Sequence, residues 1–98
     1  MSSAANPPRV RVVQRPDYRE NYANSVQIRP STWDFFVQFG TMEPRSPEEI
    51  ELHLFQGVYL SPQQAKAVLH LLRTHLEGYE KAFGEIQLQP LAAPGAVQ

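Results

Sequence analysis

Three histidines, His53, His70 and His75, could act as metal ligands or as general acids and bases. His70 and His75 fall in a stretch with helical periodicity, but they are five residues apart and so about 140° apart around a helix. Paired ligands of a helical metal site are normally four residues apart, and His53 falls in a predicted strand. The spacing therefore predicts no metal site and no cofactor.

Three carboxylates, Asp34, Glu49 and Glu51, are candidates for acid–base chemistry. They alternate with apolar residues along predicted strands, which is typical of solvent-exposed strand positions. The sequence has no glycine-rich phosphate loop and no Ser-His-Asp order that we can place. We therefore expect that the protein is not an enzyme.

Two further polar residues have both a structural and a ligand-binding interpretation. Lys66 follows the start of a predicted helix, where free N–H groups could help it hold an anion, although a surface lysine is the more common role. Asn24 lies at the start of a predicted strand, and its side chain is expected to hydrogen-bond a neighbouring backbone rather than a ligand.

The N-terminal part of the chain carries a candidate nucleic-acid arm, formed by Arg9, Arg11, Arg15 and Arg19. Residues 1–30 hold five arginines against two acidic residues, whereas the remainder holds four basic and eight acidic residues. Arginines on an extended segment with tyrosines nearby could contact phosphates and stack on bases. The net charge of −1 makes this the alternative hypothesis, and we expect nucleic acid not to be the main partner.

These residues must be positioned by one predicted helix, from Ser61 to Gly84. Ser61 is a favourable N-cap, Pro62 suits the first helical position, and Gly84 is a favourable C-cap. The apolar residues of this stretch recur every three or four positions and form one stripe: Ala65, Val68, Leu69, Leu72, Leu76, Tyr79 and Phe83. We predict that this stripe, with Leu72 and Leu76, lies in the core.

Three strands are predicted before the helix, because apolar residues alternate along 21–29, 32–39 and 49–60. Residues 41–47 carry two prolines and are expected to form a loop, and residues 9–15 are expected to form an edge strand or an extended arm. In 49–60, simple alternation puts Ile50, Leu52 and Leu54 on the same face as Val58 and Leu60, with a possible bulge at Gly57. The predicted fold class is α+β, with an antiparallel sheet of three to four strands followed by one long helix packed on one face (β-β-β-α).

Phe36, Phe55 and Tyr59 are the candidate interface. Alternation puts them on the sheet face that the helix does not cover. Large aromatic side chains facing water normally mark an interaction site. We expect a second copy of the chain or a protein partner to bind there. The alternative cover is the N-terminal arm with Val10, Val12 and Val13.

Length and composition predict one small domain over residues 9–88, between disordered tails at 1–8 and 89–98. A domain of this size is marginally stable alone, and without cysteine it has no disulfide. Oligomerisation is then a ready source of stability. No segment resembles a membrane span or a signal peptide, so we expect a cytoplasmic protein without membrane contact.

Three segments together resemble one prokaryotic family, the domain of unknown function 3467. The segments are YANSVQIRPSTWDFFVQFG at 22–40, LFQGVYLSPQQAKAVLHLL at 54–72 and LEGYEKAFGEI at 76–86. Four motifs carry the resemblance: a YAN strand start, an F-x-x-x-F-G strand end, an S-P-x-x-A-K helix start and a Y-E-x-x-F-G-x-I close. The resemblance implies this fold and no established activity. Its shape is similar, at a coarse level, to export-chaperone-like sheets backed by a helix. The expected function is that of a small, non-enzymatic, homodimeric protein-interaction module, either chaperone-like or an adaptor.

Overall fold

The structure, a computed structural model, describes residues 6–88. It contains three strands and one helix in the order β1 (Ser25–Pro30), β2 (Phe35–Ser46), β3 (Glu49–Leu60) and α1 (Pro62–Phe83). The strands form one antiparallel sheet in the order β1-β2-β3. The predicted α+β fold class, with its β-β-β-α order, is confirmed. Most of the two predicted tails, residues 1–5 and 89–98, lies outside the described residues.

Within the described residues, 9–15 and 85–88 form no strand, so the sheet has three strands. The prediction of a loop at 41–47 is wrong, because β2 continues to Ser46 and only Pro47 and Glu48 form the turn into β3. The twelve residues of β3 need a pairing partner of the same length, and β2 supplies it. Pro44 is tolerated because β1 pairs with β2 only as far as Gly40, which leaves the rest of β2 at a sheet edge.

A bulge divides the β2–β3 hairpin and reverses the faces of β3. Phe39 pairs with Gln56, but the next residue, Gly40, pairs with Leu54, so Phe55 is the extra residue. Paired residues share a face, so Val58 and Leu60 lie on one face, whereas Leu52 and Leu54 lie on the other. The predicted common face for these residues is therefore wrong, and the bulge is at Phe55 rather than at Gly57.

The helix begins and ends where its capping residues predict. The Gln64 N–H donates to Ser61 Oγ at 3.1 Å, and the Gly84 N–H donates to the Glu80 carbonyl at 2.8 Å. Gly84 has a backbone φ of 98°, a value that residues other than glycine rarely adopt.

The helix lies beside the sheet without covering it. Ser61 alone connects β3 to α1, whereas strand-to-helix connections usually have two to six residues, so the helix cannot fold flat onto the strands. No helical residue is buried, and Leu72 and Leu76 are 54% and 46% exposed. The prediction that they lie in a core is wrong for the single chain. Among residues 6–88 only Ser25 and Gly40 are buried. No large apolar side chain of these residues is therefore buried.

Candidate interaction surfaces

The first candidate site is an apolar cleft between the sheet and the helix, with a volume of about 380 Å³. Alternate residues of the three strands line one wall, and the start of the helix stripe lines the other. The lining residues are Val26, Ile28, Phe35, Val37, Phe39, Val58, Leu60, Ala65, Val68 and Leu72. We call this surface the cleft. It has no charged lining residue, so it suits an apolar partner surface rather than a polar ligand.

The helix stripe continues the cleft towards the C-terminal end of α1. The exposed fraction is 46% for Leu76, 51% for Tyr79 and 76% for Phe83. The ring centroids of Tyr79 and Phe83 lie 4.9 Å apart. Beyond Gly84, Ile86 lies beside Leu76 and Tyr79. The cleft and the stripe together form one extended apolar surface along the helix.

The second candidate site is an aromatic row on the opposite face of the sheet, which we call the outer face. Arg29, Phe36 and Tyr59 are paired across the three strands. The Phe36 and Tyr59 rings stack with centroids 4.4 Å apart and planes at 25°, and Arg29 Cζ lies 5.0 Å from the Phe36 centroid. Tyr59 remains 66% exposed. The row is therefore held in place from inside the chain and still faces solvent.

Gly57 makes room for this row. A Cβ at position 57 would lie 2.8 Å from Phe36 Cε1 and Cζ, so the Phe36 ring lies directly against the glycine. The structure thus brings together two of the three predicted interface residues, Phe36 and Tyr59. The third, Phe55, is the bulge residue and is 40% exposed.

A charged network occupies the cleft side of the sheet beyond the bulge. Arg45 Nε contacts Glu51 Oε1 at 2.8 Å, and Arg45 Nη2 contacts Glu43 Oε1 at 3.1 Å. His53 Nε2 lies 2.7 Å from Glu51 Oε1 and 3.9 Å from Glu43 Oε1. Hydrogen bonds from His53 and then from Arg45 hold the pKa of Glu51 below its usual value. All four side chains are exposed by 41–48%, as expected of a solvated network.

The N-terminal arm is exposed at every residue from 6 to 22. Arg15 contacts Asp17 at 3.3 Å. Tyr18 donates a hydrogen bond to Glu20 at 2.6 Å, and this bond raises the pKa of Tyr18. The predicted nucleic-acid residues Arg9, Arg11, Arg15 and Arg19 thus lie on a solvent-facing segment, and their role stays a prediction.

The residues considered for catalysis are placed apart. Asp34 lies in the β1–β2 turn, where its backbone N–H and that of Trp33 both donate to Ser31 Oγ at 3.1 Å. Glu49 begins β3, and Lys66 is exposed on the first turns of the helix. Within residues 6–88 no group of three or more potential ligands could hold a metal ion. Over the same residues, no helix combines the length and apolar character needed to cross a membrane.

Each sequence motif has a role in the fold. Asn24 of the YAN motif accepts a hydrogen bond from the Met42 N–H at 2.8 Å, and its own N–H donates to the Gly40 carbonyl at 3.1 Å. This confirms the backbone role predicted for Asn24. Gly40, which ends the F-x-x-x-F-G motif, lies against the bulge, where a Cβ would be 2.6 Å from the His53 carbonyl oxygen. Only glycine fits there.

The last motif, Y-E-x-x-F-G-x-I, ends the helix and turns the chain back along it. The Glu80 carboxylate accepts a hydrogen bond from the Ile86 N–H at 3.0 Å, after Gly84 has changed the chain direction. Ile86 can then lie beside the helix stripe. The motif residues therefore build the strand ends, the bulge and the two helix ends.

These features define the class as a three-stranded antiparallel sheet joined to one helix, with two open apolar surfaces. The chain belongs to the protein family described as "Protein of unknown function (DUF3467)", whose model matches residues 1–88. The comparison with curated proteins found no match, and the comparison with solved structures found none either.

The cleft is the surface that sequence reasoning missed. Its residues were expected to be covered by the chain's own helix. One signal was available in the sequence. Only Ser61 separates Leu60, the end of the predicted strand, from Pro62, the start of the predicted helix. So short a connection restricts how far the helix can turn back over the sheet.

Proposed function

We propose that the protein is a cytoplasmic, non-enzymatic protein-interaction module that works as a homodimer. One observation carries this proposal: among the described residues, no large apolar side chain is buried within one chain. Burial of apolar surface is the main source of folding free energy, and a single chain leaves most of this source unused. A second copy of the chain is the simplest cover.

The surface area agrees with this proposal. The chain exposes 8984 Å², whereas a compact folded monomer of its mass exposes about 5,700 Å². The exposed N-terminal arm contributes to the excess, and so do the cleft and the helix stripe. Obligate homodimers commonly bury about 2,000–5,000 Å² counted over both partners, which is about 1,000–2,500 Å² for each chain. A dimer would therefore remove part of the excess.

The cleft and the helix stripe are the surfaces that we assign to the dimer. They are continuous and apolar, and they can meet the same surfaces of a second copy around a two-fold axis. The outer face would then remain available, with the Arg29–Phe36–Tyr59 row directed to solvent. Exposed aromatic and arginine side chains are typical of residues that dominate protein interfaces. We propose that this row binds a protein partner, as expected of an adaptor or a chaperone-like protein.

The mass of the protein in solution tests the dimer. Light scattering at micromolar concentration should give about twice the chain mass, and the melting temperature should rise with protein concentration. Leu72→Asp places a charge in the cleft and should abolish the dimer. His70→Asp, on the opposite side of the helix, is the matched control and should leave it intact. A stable monomer for the unmodified chain would contradict the proposal.

The role of the outer face is tested separately. Proteins captured by the tagged dimer should be lost when Tyr59→Ala is used, while the dimer mass stays unchanged. Gln27→Ala, on the same face but outside the row, is the control. Equal capture by the unmodified protein and by Tyr59→Ala would remove the outer face as the partner site.

A further inference from the structure

The outer edge of β3 is open. In the order β1-β2-β3, β3 pairs with β2 on one side only, and within residues 6–88 no strand pairs with its other side. This edge presents backbone donors and acceptors along a strand of twelve residues that contains no proline. Such an edge is a template for an additional strand.

The N-terminal arm contains a segment suited to that edge. Residues 9–12, Arg-Val-Arg-Val, alternate charged and apolar side chains, and the β-branched valines favour a strand. Val10 and Val12 are nevertheless 89% and 87% exposed in the single chain. The arm is thus a strand-forming sequence without a strand partner in its own chain.

The alternation of the arm matches the alternation of β3 residue for residue. The first four residues of β3 are Glu-Ile-Glu-Leu, with Glu51 on the cleft face and Ile50 and Leu52 on the outer face. A strand placed beside them can put its two arginines next to Glu49 and Glu51 on one face. Its two valines then lie next to the two apolar residues on the other face. Both charge and apolar character are complementary, because the arm is basic and the start of β3 is acidic.

We infer that residues 9–12 of one protomer add as a fourth strand to the β3 edge of the partner protomer. This inference rests on the proposed dimer. The arm precedes β1, and β1 and β3 are opposite edges of the sheet, so the arm would have to cross its own sheet to reach its own β3. A two-fold dimer brings the partner's edge instead and forms the same contact twice.

Charge reversal in two separate chains tests this exchange. The first chain carries Arg9→Glu and Arg11→Glu, and the second carries Glu49→Arg and Glu51→Arg. A homodimer of either charge-reversed chain places like charges on the arm and on the β3 edge. A mixed dimer of the two chains restores opposite charges at both contacts. Because Glu51 also contacts Arg45 and His53, Glu49→Arg alone is the second variant if the double change perturbs the hairpin. The control, with the same change in charge outside the segment, is Arg15→Glu with Arg19→Glu.

Amide hydrogen exchange of residues 9–12 is the measurement, with light scattering in parallel to verify the dimer. In the unmodified dimer, alternate amides should exchange at least about tenfold more slowly than in a free peptide of the same segment. Protection should be lost in each charge-reversed homodimer, return in the mixture and persist in the control. Added salt should weaken the protection of the wild-type dimer, because it screens the attraction between the arginines and the glutamates.

Several results would overturn the inference. Fast hydrogen exchange at residues 9–12 in an intact wild-type dimer contradicts the added strand and leaves the proposed dimer in place. Protection that the mixture does not restore shows that the arm docks on its own chain. Protection that appears only with an added oligonucleotide assigns the arm to nucleic acid. A wild-type protein that is monomeric in solution contradicts both the proposed dimer and the added strand.

Discussion

The two faces of the sheet are both apolar in part, but they differ in what the chain itself does with them. On the outer face, Phe36 stacks on Tyr59 and lies over Gly57, so a row of three side chains is organised without help. On the cleft face, Val37 and its neighbours face an open space that the helix does not fill. The contrast supports the proposed assignment of the dimer to the cleft face, because only the outer face organises its large side chains within one chain.

The largest effect is expected from a charge on the cleft face. Val37→Asp should abolish the dimer and unfold the protein, because an unpaired carboxylate would be buried in the interface. Gln38→Asp is the matched control, since residue 38 is the next residue of β2 and faces outward. Thermal melting and light scattering measure both. Equal effects of the two substitutions would show that the two faces are not different.

A smaller effect is expected at the bulge, which reverses the faces of β3. Gly40→Ala should lower the free energy of unfolding by about 1–3 kcal/mol, because its Cβ would lie 2.6 Å from a backbone oxygen. Denaturant titration measures this change. In the control, Gly78→Ala, no described atom outside the adjacent helix backbone lies within 4 Å of the added Cβ, and the helix should gain up to about 1 kcal/mol. Destabilisation by the control would place the partner protomer against Gly78.

The outer face should tolerate the loss of an aromatic ring better. Phe36→Ala removes the stack with Tyr59 and the contact with Arg29, and it should cost about 1–2 kcal/mol. The dimer mass should not change. A fall to the monomer mass would move the dimer interface to the outer face, where alternation in the sequence first suggested it.

The smallest effect is expected from acid. The depressed pKa of Glu51 means that its contribution to stability is fully present above the usual carboxyl pKa and is lost as pH falls through the lowered value. The melting temperature between about pH 5 and 2 should therefore fall slightly more for the unmodified protein than for Glu51→Gln. A parallel fall in both proteins would show that the network adds nothing.

Much of the fold could be predicted from the sequence because the signals are local. Ser61, Pro62 and Gly84 fix the helix ends through their own backbone preferences. The alternation along 21–29 predicts opposite faces for Val26 and Arg29, and their pairing with Phe39 and Phe36 of β2 confirms it. The continuation of β2 through Pro44 could not be predicted from local signals, since it depends on pairing with the far half of β3.

The candidate site was less predictable. The faces of β3 depend on one extra residue, Phe55, and strict alternation contains no sign of it. The cleft depends on the angle at which the helix leaves the sheet, which is a property of the connection and not of the stripe. Phe36 and Tyr59 were found because large aromatic residues on an uncovered face are visible in the pattern itself.

The lack of buried apolar side chains in one chain also has a kinetic consequence. In the proposed dimer, a chain that gains little free energy before it meets a second copy should fold and assemble in a single step. Its refolding should then be second order, so a twofold dilution should double the half-time. A newly made copy would remain open to proteases until a second copy arrives. The cellular level of the protein would then depend on its own rate of synthesis more steeply than in simple proportion.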